Sequence, residues 1–113
     1  RELLADILGI RFLPHPDSRR HNYSYFPILL GPEYPLTRDE LYLWFRENNI
    51  YVRRYFYPLI SEFPMYRALP SASKYNLPNS STSSDNILCL PIYPDLELTV
   101  QKKIVMLLTV KIK

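Results

Sequence analysis

"LTRDELYLWFRENNI", residues 36 to 50, constrains the fold more than any other stretch of this chain. Thr37 and Glu40 have the spacing of a capping box, in which each side chain accepts the backbone N–H of the other residue. Leu36 and Leu41 flank that box and form a hydrophobic staple across it. A helix therefore begins at Thr37, with Leu41, Trp44 and Phe45 on one stripe. Asn48 and Asn49 supply the left-handed residue that ends it, because Asn tolerates that region. Strand-like runs lie on both sides. "NYSYFPILL" predicts a strand from about Tyr23 to Leu29, and the run from Ile50 to Tyr57 predicts another. The local order is strand, helix, strand.

The remaining segments fill in one small domain. "RELLADILGI" has Leu3, Leu4, Ile7 and Leu8 at helical spacing and Gly9 as a stop, which reads as the tail of a helix. No capping residue precedes Arg1, so the natural chain is expected to extend upstream. "IRF" is a short extended piece, ended by Pro14 and Pro16. From Leu69 to Asn86 the chain turns polar and predicts a surface excursion with at most a short helix, poorly ordered over Asn79 to Ser84. "ILCL", closed by Pro91 and Pro94, predicts a short buried strand. A final helix capped by Thr99 or Glu97 puts Val100, Ile104, Leu107 and Leu108 on one stripe. With 113 residues there is room for one core, so residues 1–113 are read as a single domain. The expected class is α+β: a small two-layer domain, with a short, mainly antiparallel sheet of about three strands against two main helices.

Most chemistry is excluded by content. Gly9 and Gly31 are isolated, so no glycine-rich phosphate loop exists. Cys89 is alone, which forbids an internal disulfide and a cysteine zinc site, and which suits a reducing compartment such as the cytoplasm. His15, Asp17 and His21 have no metal-ligand spacing and read as solvated turn residues. No serine or cysteine stands in a nucleophile setting, so no catalytic residue is assigned. No apolar run has transmembrane length.

What remains is the aromatic and basic strand. Period-two alternation places Ile50, Val52, Arg54 and Phe56 on one face and Tyr51, Arg53, Tyr55 and Tyr57 on the other, with Ile50 and Val52 toward the core. Such a surface suits stacked bases, as in a stand-alone interaction or RNA-binding module, but the net charge of +3 is modest for that role. A wall for a smaller phosphorylated ligand fits better, since Arg makes bidentate phosphate contacts and Tyr offers a flat face with a hydroxyl at its rim.

In order, "NYSYFPILL", "TRDELYLWFRENNIYVRRYFYPL", "FPMYR", "NLP" and "ILCLPIYPDL" resemble the C-terminal domain of the DegT/StrS family of sugar-nucleotide aminotransferases, particularly those acting at the sugar C4 position. "RRYFYPL" followed by "LCLPIYPDL" is the most specific pair. The resemblance implies a fold type I enzyme that uses pyridoxal phosphate and whose large N-terminal domain, absent here, carries the cofactor lysine. It implies a homodimer that transfers an amino group, usually from glutamate, to a nucleotide-linked 4-keto-6-deoxy sugar. The piece alone is then expected to be inactive and to bind no cofactor. None of Lys74, Lys102, Lys103, Lys111 or Lys113 stands in a cofactor-lysine setting. Ile60 replaces the histidine that many relatives have after "PL", so no role of that histidine transfers. The substrate-side residues implied are Arg54, Tyr55 and Tyr57, with Asn22 and Tyr23 from the preceding strand.

Overall fold

The computed structural model describes residues 1–13 and 22–109; His15, Asp17 and His21 lie outside them. Three strands, β1 (Ile10–Phe12), β2 (Phe26–Leu30) and β3 (Ile87–Leu90), form an antiparallel sheet in that order. Register sets Ile10 opposite Leu30, Ile28 opposite Leu88 and Phe26 opposite Leu90, so these residues share the core face. Against that face pack α1 (Arg38–Glu47) and α3 (Leu98–Thr109), while a shorter helix, α2 (Pro78–Asn86), leads into β3. Ile28, Leu41, Phe45, Leu88 and Leu108 are fully buried at this seam. Each stabilises by roughly 1.5–3 kcal/mol, against about 0–1 kcal/mol for an exposed ion pair, so the seam rather than surface charge holds the fold.

The capping box forms as its sequence dictates. Glu40 N–H donates to Thr37 Oγ1 at 3.3 Å and Thr37 N–H to Glu40 Oε2 at 2.8 Å. That backbone donor holds the Glu40 carboxyl below its ordinary pKa. Asn49 takes the left-handed conformation, φ 60°, at the helix exit. At the far end of α3, unpaired last-turn carbonyls find side-chain donors. Tyr34 Oη donates to the Leu108 carbonyl at 2.8 Å and Trp44 Nε1 to the Leu107 carbonyl at 3.2 Å. Burial pushes the Tyr34 hydroxyl pKa up to about 12. Glu97 takes the cap position of α3, its carbonyl accepting the Gln101 N–H at 3.0 Å.

Four expectations are corrected. The opening is not the tail of an α-helix: Glu2–Leu4 is a single 3-10 turn, and Leu3 and Leu8 are exposed while Leu4 and Ile7 are buried. Gly9 still ends it, with φ 78° and its carbonyl taking the Gly31 N–H at 2.7 Å, and a Cβ there would strike the Tyr34 backbone. Strand β2 starts at Phe26, not Tyr23, which sits at φ 50°. Residues 79–84 are helical within α2, anchored by a buried Ser84 whose carbonyl accepts Arg38 Nη1 at 2.7 Å and whose hydroxyl donates to the Phe56 carbonyl at 3.2 Å. Tertiary contact here overrides weak helix propensity.

The fourth correction concerns residues 50–57, which pair with the sheet at one position only, Arg53 with Cys89. The third strand of the sheet is β1 instead. The cause lies on the partner edge. In one direction from Cys89 the next outward residue is Pro91, which has no N–H to give. In the other it is Ile87, whose N–H already serves the Ser83 carbonyl as the cap of α2. A ladder cannot extend past a missing donor and an occupied one.

Candidate functional site

The segment leaves the core at Val52 and presents its remaining side chains outward. Ile50 and Val52 are buried, whereas Tyr51 and Phe56 are each 71% exposed. Arg53 is fixed at the backbone, its N–H donating to the Cys89 carbonyl at 3.0 Å and its carbonyl accepting the Cys89 N–H at 2.8 Å. Arg53 and Arg54 then diverge into two environments.

Arg54 turns toward α1. Its Nη1 donates to Asp39 Oδ1 at 3.0 Å, and its guanidinium lies 4.3 Å from the Tyr42 ring centroid and 5.1 Å from that of Tyr57. Arg38, buried, contributes to the same cluster: its Nε is 2.7 Å from Asp39 Oδ1, an ion pair in which the N–H is not aimed at the oxygen. Its guanidinium lies 4.2 Å from the Tyr57 ring. Partial burial opposes ionisation of Asp39, but the Arg54 hydrogen bond and the charges of Arg38 and Arg54 beside it outweigh that and hold the carboxyl below its ordinary pKa. Two cations, one carboxylate and two rings thus hold the Arg54–Tyr57 turn against the helix start.

Arg53 turns the other way, into a cavity of about 230 Å³ walled by Ser24, Tyr25, Tyr51, Cys89 and Tyr93 among others. Tyr25 packs against Tyr55 with ring centroids 4.9 Å apart, and a hydrogen bond with Tyr55 raises the Tyr25 hydroxyl pKa. Burial keeps the Cys89 thiol protonated, the nearby Arg53 charge only partly opposing it.

Of the residues expected from sequence, Arg54 and Tyr57 meet in the first cluster, and Tyr55 packs at a tilt against Tyr25 beside the cavity. Asn22 and Tyr23 precede the cavity wall on an exposed lead-in, where Asn22 Oδ1 accepts the Ser24 N–H at 3.2 Å. Tyr25 and Tyr93 had no place at the site in the sequence reading, and Arg53 and Tyr51 belonged to its aromatic and basic strand without being among the substrate-side residues. The period-two alternation had placed Tyr51 and Arg53 on one face, and that was the available signal.

Lys111 and Lys113 lie outside the described residues, and the described lysines do not suit an aldehyde cofactor, which needs an amine that readily loses its proton. Lys74 is exposed, and its hydrogen bond with Glu62 raises its pKa instead. Lys102 is exposed, and Lys103 Nζ donates to the Asn48 carbonyl at 2.8 Å. Among the described residues no three His, Cys, Asp or Glu side chains gather as metal ligands, and no helix is long and apolar enough to cross a membrane.

Known proteins are similar to this chain in sequence. The dTDP-4-amino-4,6-dideoxy-D-glucose transaminase of Escherichia coli is 48% identical over 108 residues, covering 96% of this chain and 29% of that protein. The Shigella dysenteriae protein of the same name is 37% identical over 93% of the chain and 28% of its own length. GDP-perosamine synthase from Vibrio cholerae is 32% identical over 81% of the chain and 25% of its length. The chain therefore spans less than a third of these relatives. A DegT DnrJ EryC1 StrS aminotransferase structure from Brucella abortus superposes with a TM-score of 0.72 over 95% of this chain and 26% of that one, at 23% identity, which speaks to the fold alone. The model of the DegT/DnrJ/EryC1/StrS aminotransferase family matches residues 1–109, and the chain belongs to that family.

Proposed function

We propose that this chain is the small domain of a pyridoxal-phosphate-dependent transaminase that converts a nucleotide-linked 4-keto-6-deoxy sugar to its 4-amino form, with glutamate leaving as 2-oxoglutarate. The 48% identity to the Escherichia coli transaminase over 96% of the chain carries this reading. The family implies the cofactor, whose role is to hold the amino group between donor and acceptor. The described lysines do not fit its attachment, so the reactive half of the site is assigned to a large domain outside this chain. A homodimer in the cytoplasm is part of the same proposal.

The chain's own contribution is to bind and orient. Tyr55, Tyr57 and Tyr23 offer rings and hydroxyls to the sugar nucleotide and Asn22 an amide, side chains suited to a flat ligand with polar edges. Arg54 adds positive charge there and, through Asp39, keeps the turn in place. Closing such a surface over the reacting carbon excludes water and fixes the keto group for amino transfer.

The test is amino transfer by the complete protein. Incubated with glutamate and dTDP-4-keto-6-deoxyglucose, it should release 2-oxoglutarate and the 4-amino sugar nucleotide in equal amounts, followed by mass spectrometry. Release of neither product from any 4-keto-6-deoxy sugar nucleotide would overturn the reading.

A further inference from the structure

We propose that Ser84 of α2 is a positioning residue for amino transfer, acting through the Phe56 carbonyl to fix the turn that carries Tyr55 and Tyr57. This rests on the transaminase reading and says how the chain holds the side chains which that reading assigns to the sugar nucleotide.

The turn is short of other support. Past Arg53 the backbone–backbone hydrogen bonds stop, and among the described residues they resume at Leu59. Apolar burial does not replace them, since Phe56 is 71% exposed and Tyr57 42%. The Asp39 contact of Arg54 holds a side chain near the surface, where an ion pair contributes little. Among the described residues, the side chain that bonds the backbone of this stretch is that of Ser84, whose Oγ donates to the Phe56 carbonyl at 3.2 Å.

Packing does not account for a serine at that place. Among the described residues two hydrophilic ones are buried, Arg38 and Ser84, each 4% exposed. Burying either costs free energy unless its polar atoms find partners. They find them in one another and in the turn: Arg38 Nη1 donates to the Ser84 carbonyl at 2.7 Å, and its guanidinium lies 4.2 Å from the Tyr57 ring centroid. Ser84 is also the one buried residue of α2. Alanine would serve the helix better, so the hydroxyl is superfluous to α2 and is used on the Phe56 carbonyl. That carbonyl lies between Tyr55 and Tyr57 in the chain, and moving it moves both side chains. A binding group displaced by about 1 Å from its productive place forfeits much of what it contributes.

The experiment uses the complete protein, with glutamate and dTDP-4-keto-6-deoxyglucose as substrates, and compares wild type, Ser84→Ala, Ser84→Cys and Ser83→Gly. Ser83 is exposed on the same helix, so its glycine variant weakens α2 without touching the turn. Ser84→Ala should raise KM for the sugar nucleotide about threefold to tenfold, the size of one net hydrogen bond, with kcat within about twofold and KM for glutamate unchanged. Chymotryptic cleavage after Tyr55 and Phe56, mapped by mass spectrometry without substrate, should quicken in the same variant, because a released turn opens more often. Ser83→Gly should leave both readouts at wild-type values. Ser84→Cys fills the same space with a weaker donor, should show a smaller effect in the same direction, and is the variant measured should the alanine protein not fold. An unaltered sugar-nucleotide KM in the Ser84 variants, or an equal rise in Ser83→Gly, would overturn the assignment. The two readings fail separately. Quicker cleavage of Ser84→Ala in a protein that aminates no sugar nucleotide supports the Ser84 contact and sinks the transaminase reading. Full amination with unaltered KM and cleavage in both Ser84 variants does the reverse.

Discussion

The guanidinium of Arg38 lies 4.2 Å from the centre of the Tyr57 ring, joining the first residue of α1 to the turn that carries the candidate substrate side chains. The same arginine donates from Nη1 to the Ser84 carbonyl at 2.7 Å, so its planar shape is used on both its face and its edge. Replacing it by lysine keeps the charge and loses both geometries. Arg38→Lys should destabilise by about 1.5–3 kcal/mol, the range for a hydrogen bond from a charged group, read as a lower denaturant midpoint. Tyr57→Phe retains the ring and should cost under about 0.5 kcal/mol, in the range of a neutral surface change. An equal loss in the two variants would show that the ring contact is not what matters.

Helix α1 depends on its first turn. Thr37→Ala removes the hydroxyl that accepts the Glu40 N–H and should cost about 1 kcal/mol, or roughly 4–8 °C in thermal midpoint for a domain of this size. An unchanged midpoint would mean that Leu36 and Leu41 packing alone fixes the helix start.

Acid and alkali should act through different residues. The Asp39 and Glu40 carboxyls titrate below their ordinary values of 3.8 and 4.5, so their stabilisation is in place above that range and drains away as pH falls through their lowered folded values. Glu40→Gln should flatten part of this acid limb in a urea-midpoint series against pH.

Tyr34 governs the other end. Its hydroxyl titrates at 10.0 when unfolded and about 12 when folded, because ionising it would leave a buried phenolate facing the Leu108 carbonyl. Stability from this raised group is complete below pH 10 and declines toward pH 12, by about 2 kcal/mol across the window. Tyr34→Phe should be less stable near neutrality, having lost the hydrogen bond, yet show a shallower alkaline decline. Parallel curves for the two proteins would remove Tyr34 as the cause.

The cofactor prediction is direct. Incubated with pyridoxal phosphate and reduced with borohydride, the 113-residue chain should acquire no cofactor at a specific lysine, because Lys74 holds its proton through Glu62 and Lys103 is committed to the Asn48 carbonyl. Stoichiometric labelling of one lysine in a peptide map would contradict it.

How far the sequence could be read depended on how local each cause was. The α1 start was legible because Thr37, Glu40, Leu36 and Leu41 all lie within one turn of it. Strands β2 and β3 and the buried stripe of α3 followed from apolar runs and their proline boundaries. The run from Ile50 to Tyr57 has the composition of a strand, but its pairing was decided by Pro91 and by the N–H of Ile87, far away in the chain. Helix α2 was obscured for the same reason, since Arg38 and the Phe56 carbonyl hold its Ser84. At the site, alternation set Arg53 and Arg54 on opposite faces, but it grouped Tyr57 with Arg53, whereas the Tyr57 ring meets Arg54 and Arg38. It had no means of showing that Asp39 would occupy Arg54 and that Tyr25 and Tyr93 would gather around Arg53.

Between Leu59 and Leu77 the chain runs through three 3-10 turns without burying a single side chain, and Ser84 then ties its return to Phe56 and Arg38. That arm lies over the surface and contributes nothing to the buried core. Lengthening such a loop costs only about 0.6 kcal/mol per doubling, so insertions there could retailor the reach of this domain while leaving its frame intact.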